Sequence, residues 1–130
     1  MQLAVLGSVV LGGGLGAGMR YLVGLGALRF LGPHFPWGTF IVNIVGSLAM
    51  GLIIGLLAHK LDMGQNMRAF LTTGILGGFT TFSAFSLDIA NLYERKQAGL
   101  AALYISGSVG LGIIALFFGL YLARQFSQGI

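Results

Sequence analysis

Apolar residues fill four long blocks of this chain, separated by short polar clusters. The blocks run from about Leu3 to Leu25, Gly38 to Ala58, Met67 to Ile89 and Ala98 to Ala123. Each provides roughly the 20 residues that an α-helix needs to cross the hydrocarbon of a bilayer. The pattern predicts an all-α membrane protein, a single domain over residues 1–130 with four transmembrane helices and both termini on one side. The connector from Arg29 to Trp37 holds both prolines, Pro33 and Pro36, with His34 between them and Trp37 placed as an interfacial anchor. His59, Lys60, Asp62, Gln65 and Asn66 make the second polar cluster, and Asp88, Glu94, Arg95 and Lys96 the third.

The third block is not uniform. Midway through it stands Gly77-Gly78-Phe79-Thr80-Thr81-Phe82-Ser83-Ala84-Phe85-Ser86, an uncharged tract of glycine, hydroxyl and aromatic residues. A broken third helix is expected there, around Gly77 to Ser83. Backbone groups freed by such a break must be satisfied by protein, ion or cavity water, because lipid offers no partner. A kink eased by the hydroxyl side chains accounts for the same residues without any site. In the first block Gly12 with Gly16, and Gly14 with Gly18, have the small-xxx-small spacing through which membrane helices pack closely.

Composition narrows the function. With 56% hydrophobic and 8% charged residues and a mean hydropathy of +0.92, the chain has little mass to place outside the membrane, so a functional site is expected within it. The first block lacks a preceding basic residue and a following small-residue cleavage site, and is expected to stay in the mature protein. Without cysteine there is no thiol chemistry. The seven basic residues are dispersed, which gives nucleic acid nothing to bind and suits membrane flanks instead. They also divide almost evenly: Lys60, Arg68 and Arg124 on the face of the termini, Arg29, Arg95 and Lys96 on the other, Arg20 near the latter. Without a positive-inside bias, a chain can insert in both orientations and pair as an antiparallel dual-topology homodimer. In so small a set the balance can also arise by chance.

The three acidic residues, Asp62, Asp88 and Glu94, lie at block ends or in loops, so no carboxylate is available at mid-membrane to couple protons. Both histidines fall outside the blocks, and no nucleophile–base pair or metal-ligand cluster has meaningful spacing, so an enzyme is not expected. What remains inside is neutral and polar: Asn43, the Thr80 to Ser86 tract, Tyr104, Ser106 and Ser108. Phe82 and Phe85, three residues apart, share a helix face if helix resumes after the break. Their ring edges carry positive quadrupole density and can flank an anion while Asn43 or a hydroxyl replaces part of its water; taken alone, the pair is explained more simply by ordinary aromatic packing between helices. Carbonyls freed at two such breaks near a two-fold axis can hold a hard cation such as Na+.

Gly74-Ile75-Leu76-Gly77-Gly78-Phe79-Thr80-Thr81-Phe82-Ser83-Ala84-Phe85-Ser86 resembles the third-helix signature of the Fluc (CrcB) fluoride channels. Gly16 to Arg20 is similar to that family's first-helix Gly-x-x-x-Arg pattern, and Trp37-Gly38-Thr39-Phe40-Ile41-Val42-Asn43-Ile44-Val45-Gly46 to its second-helix signature. The resemblance implies an antiparallel homodimer with two narrow pores in a bacterial or other microbial cell (inner) membrane. These pores would pass fluoride, but not chloride, passively out of the cell and so relieve its toxicity. It implies a fluoride pore lined by Asn43, Thr81, Phe82, Ser83, Phe85, Tyr104 and Ser108, with Arg20 near the vestibule either drawing anions in or snorkelling to headgroups. Gly77 and Thr80 would offer backbone carbonyls to a structural Na+ that is not transported. Two departures stand out: Ala84 replaces a frequent threonine, and Gly112 stands where a serine often extends the fourth-helix polar track.

Two other functions are alternatives, the first of which shares the length and charge balance. A small multidrug-type exporter depends on a first-helix glutamate, and no acidic residue precedes Asp62. A non-transporting membrane assembly subunit would need only the glycine-rich interfaces, and predicts no ion flux.

Overall fold

The computed structural model describes residues 2–59 and 63–128; Lys60 and Asp62 of the second polar cluster lie outside the described residues. Helix α1 (Gln2–Leu31) is followed by α2 (Trp37–His59). A composite third segment comprises α3 (Gln65–Ala69), a π-helix (Phe70–Leu76), the single turn α4 (Gly77–Phe79) and α5 (Ser83–Glu94). Helix α6 (Ala98–Gln128) completes the chain. Four stretches are long and apolar enough to cross a membrane: Gln2–Leu31, Trp37–Ala58, Gln65–Glu94 and Ala98–Ser127. Large apolar side chains such as Leu3, Phe30, Ile114 and Phe117 face outward, as suits a protein surrounded by lipid.

Helix α1 is longer than its apolar block. Arg29, Phe30 and Leu31 carry no helix breaker, so the helix continues through them and ends at Gly32, whose φ of +87° only glycine adopts without strain. The Gly32 N–H donates to the Leu28 carbonyl at 3.1 Å, and Pro33 prevents continuation. The connector is therefore residues 32–36, shorter than the expected Arg29 to Trp37. At the other sharp stop, after α5, Lys96 adopts φ +61° while the Lys96 and Gln97 N–H groups close on the Tyr93 and Leu92 carbonyls at 3.0 and 2.9 Å. This left-handed helix terminus is built without glycine.

Packing pairs the helices through small residues. Helix α1 lies against the third segment, and α2 makes its broadest contact with α6. A Cβ on Gly16 would strike the Ile75 carbonyl and come 2.8 Å from the Phe79 nitrogen; one on Gly12 would come 2.5 Å from the Phe70 carbonyl. The Gly12–Gly16 pair thus brings backbone against backbone. The Gly14–Gly18 pair does not: nothing lies within 4 Å of a Cβ at either position. At about 100° per residue, Gly14 and Gly18 point away from the face that carries Gly12 and Gly16. Between α2 and α6 the corresponding contact is Gly51 and Gly55 against Gly119 and Ala123.

A small aromatic core closes one end of the bundle. Tyr104 is fully buried, with its ring 5.3 Å from Phe35 and 5.0 Å from Phe85 between centroids. Phe40 and Leu92 complete the packing around it.

Candidate functional site

The chemistry concentrates where helical backbone stops at Phe79 and resumes at Ser83. Thr80 is extended, with φ −87° and ψ 160°. In a continuous helix the N–H of residue 81 would close on the carbonyl of residue 77, and each following N–H one carbonyl further on. Here the Thr81 N–H donates instead to Asn43 Oδ1 at 2.8 Å, while Asn43 Nδ2 donates to the Thr81 carbonyl at 3.1 Å. One amide side chain on α2 therefore replaces two backbone bonds. The Gly78 carbonyl receives Arg20 Nε from α1 at 3.0 Å. The Ala84 N–H is taken by Thr81 Oγ1 at 3.1 Å, which caps α5, and Ser83 Oγ lies 3.3 Å from that hydroxyl.

Several carbonyls at the break remain open, those of Gly77 and Thr80 among them. No donor among the described residues reaches the Gly77 or the Thr80 oxygen: the Thr80 N–H and hydroxyl both turn back to Leu76, at 3.0 and 2.9 Å. Gly77 is exposed on the chain's surface. Uncharged carbonyl oxygens left open at membrane depth suit a hard cation, and Na+ fits that donor type.

Helix α2 approaches the break through bare backbone. A Cβ on Gly46 would run into the Thr80 methyl and sit 3.4 Å from the Phe79 ring, so glycine is what lets Asn43, one turn earlier, reach Thr81. Beside this contact lies a groove of about 480 Å³. Asn43, Ser47, Thr81, Phe82, Phe85 and Ser108 supply its polar and aromatic wall. Phe82 and Phe85 have centroids 5.9 Å apart at 48°, but their environments differ: Phe82 is 77% exposed and Phe85 7%. Ser108 Oγ is buried and finds no hydrogen-bond partner.

Of the residues singled out in the sequence, Arg20, Asn43, Gly77, Thr80, Thr81, Phe82, Ser83 and Phe85 all lie on or beside the break. Ser108 faces the same groove from α6. Tyr104, one turn before Ser108, does not line the groove; its hydroxyl donates to Asp88 Oδ2 at 2.9 Å. Asp88 also borders a second, wider cavity of about 770 Å³ at the end of the bundle, with Thr39, Glu94 and Arg95.

Three features were not read from the sequence. The π-helix has no strong local signature, though Thr72-Thr73-Gly74 weakens the α-helical ladder and Thr72 Oγ1 bonds back to Arg68. The Tyr104–Asp88 bond joins residues noticed separately. Ser47 follows Asn43 by one helical turn and so shares its face, a spacing that could have pointed to it.

Comparison with known proteins places this geometry in a family. The family model described as CrcB-like protein, Camphor Resistance (CrcB), matches residues 7–120. The chain is 56% identical to the fluoride-specific ion channel FluC 2 of Nitrobacter hamburgensis over 90% of this chain and 94% of the relative. It is 58% identical to the fluoride-specific ion channel FluC of Mesorhizobium japonicum over the same shares. With the protein of that name from Rhodopseudomonas palustris the identity is 59%, over 89% of this chain and 94% of the relative. Similarity of this extent spans all four membrane stretches, the break and the groove, and the chain belongs to the CrcB-like family.

Proposed function

We propose that this chain is a fluoride-selective channel of the bacterial cell membrane, not an enzyme, and that it lets fluoride leave the cell passively. The observation that carries this reading is 56–59% identity, over about nine-tenths of the chain, to proteins named fluoride-specific ion channels. The groove supports it chemically. Its wall is neutral, so an anion there meets donors and ring edges without a fixed positive charge to trap it. Asn43 spends one amide hydrogen on Thr81 and has a second to offer. Phe82 and Phe85 present neighbouring rings, and the Ser108 hydroxyl is buried without a partner.

The functional unit in this proposal is an antiparallel homodimer of dual topology. Its support is physical: the Gly77 carbonyl, Phe82 and Ser83 are exposed on a single chain at membrane depth, where lipid satisfies polar backbone poorly. A second copy facing the break would cover them. The carbonyls of Gly77 and Thr80 would hold a structural Na+ between the copies, which supplies a positive centre that satisfies those oxygens. Arg20 stays bound to the Gly78 carbonyl and adds positive potential beside the break.

Efflux from salt-loaded liposomes tests the channel, with fluoride and chloride electrodes side by side and a potassium ionophore carrying the counter-current. Fluoride release without chloride release is expected; verified folded protein that releases neither ion refutes the assignment. The chain contains no cysteine, so one cysteine introduced near the C-terminus reports orientation cleanly. An impermeant reagent should label about half of the copies from each side of a cell membrane if insertion is dual. Labelling from one side only refutes dual topology.

A further inference from the structure

The groove holds a second α2 side chain whose chemistry the break does not use. Asn43 is committed to Thr81 through both ends of its amide. Ser47, one turn later on the same face, donates its hydroxyl to the Asn43 backbone carbonyl at 2.7 Å and makes no other bond among the described residues. Such a bond to the preceding turn is a resting state: the hydroxyl can rotate its proton toward a stronger acceptor without moving the helix. The facing residue of α6 is Gly112. A Cβ there would meet only Ser47 Oγ within 4 Å, at 3.7 Å. The bare α6 backbone at Gly112 thus leaves open the space into which Ser47 projects. Ser108 lies one turn before Gly112 on the same α6 face, and its buried hydroxyl has no partner.

We propose that Ser47 is a further ion-facing donor, which takes over from Asn43 and works with Ser108 to carry an anion along the groove past Gly112. This rests on the channel reading above. The ligand is a small hard anion, since a hydroxyl in a neutral surround replaces a lost water best for an ion that accepts a short, strong hydrogen bond. Asn43 then plays three parts: its side chain clamps Thr81 and offers its remaining amide hydrogen to the ion, and its backbone carbonyl is where the Ser47 proton rests between ions.

The test compares fluoride efflux from liposomes for the wild type, S47A and the double variant S47A/G112S, each confirmed to elute as the wild type does. Alanine is accepted in a helix at least as well as serine, so S47A should fold. Loss of a hydrogen bond to a charged ion should slow fluoride efflux in S47A by about tenfold or more. A serine at 112, whose Cβ has room beside position 47, returns a hydroxyl to the gap from the opposite helix and should restore most of the rate. Efflux in S47A within about twofold of the wild type overturns the proposal, because a hydrogen bond to the ion is worth more than that. So does a double variant as slow as S47A. A wild-type protein that passes no fluoride overturns the channel reading instead, and that control is separate.

Discussion

Truncating Asn43 to alanine removes the acceptor for the Thr81 N–H and the donor to the Thr81 carbonyl, bonds of 2.8 and 3.1 Å. A buried backbone group left unsatisfied costs about 1–3 kcal/mol, and because Thr81 is half-buried and water can partly compensate, about 2–3 kcal/mol for the two together is the working value. That free energy acts locally, on the conformation of residues 80–82, and corresponds to roughly a 30- to 140-fold rise in opening of the break. Hydrogen exchange of the Thr80–Phe85 segment, followed by mass spectrometry in micelles, reads it directly. Exchange at the Thr81 amide should quicken by that factor in N43A, while helix α6 keeps its wild-type rates. N43D retains an acceptor for the Thr81 N–H and should lose less protection there. Equal exchange at Thr81 in the wild type and N43A would refute the claim that the amide holds the break in shape.

Other perturbations give distinct outcomes. G16A drives a Cβ into the Ile75 carbonyl, which cannot yield, so unfolding in mixed micelles should show a loss of about 1–3 kcal/mol; G14A, with nothing within 4 Å, should stay within about 0.5 kcal/mol of the wild type. R20M strips the Gly78 carbonyl of a charged donor and should lower stability by about 1.5 kcal/mol in the same assay, the low end for such a bond because the guanidinium is half-buried. Y104F keeps the ring in its aromatic core but deprives Asp88 of a hydrogen bond, at about 1–3 kcal/mol; a melting temperature equal to the wild type's would show that water serves Asp88 as well. Replacing sodium with N-methyl-D-glucamine throughout purification should loosen the proposed dimer, read as monomer by sedimentation, and an undiminished dimer would remove Na+ from the Gly77 and Thr80 carbonyls.

Spacing along the chain decided what could be read before the fold was known. The four apolar blocks are local features, and helices occupy them. The mid-membrane tract stood out by residue type, since glycine, threonine and serine gathered at mid-block weaken a continuous helix whether or not they form a site. Partners could not be inferred, because they are set by how helices cross: Asn43 meets Thr81 across 38 residues and Arg20 meets Gly78 across 58. For the same reason the carbonyl that receives Arg20 Nε could not be named from the sequence. The glycine pairs of α1 show the limit of motif spacing. Gly12–Gly16 and Gly14–Gly18 are identical as patterns, and only the angular position of the third segment separates them. Helix α1 outlasts the block ending near Leu25 because Ala27, Leu28, Phe30 and Leu31 continue apolar helix around Arg29, and the backbone turns only at Gly32.

The bond between Arg20 and Gly78 also bears on how the protein is made. The arginine leaves the ribosome 58 residues before the carbonyl that will receive it, an interval of about 3–12 s at ordinary rates of bacterial synthesis. During that interval the first two helices carry an unmatched guanidinium and an unmatched amide into the bilayer or its insertion machinery. Arrival of the third segment satisfies both at once. Helices α1 and α2, each long and apolar enough to span the bilayer alone, thus hold their place before the contacts that fix the break exist, and residues 78–81 set the final geometry of the site when they arrive.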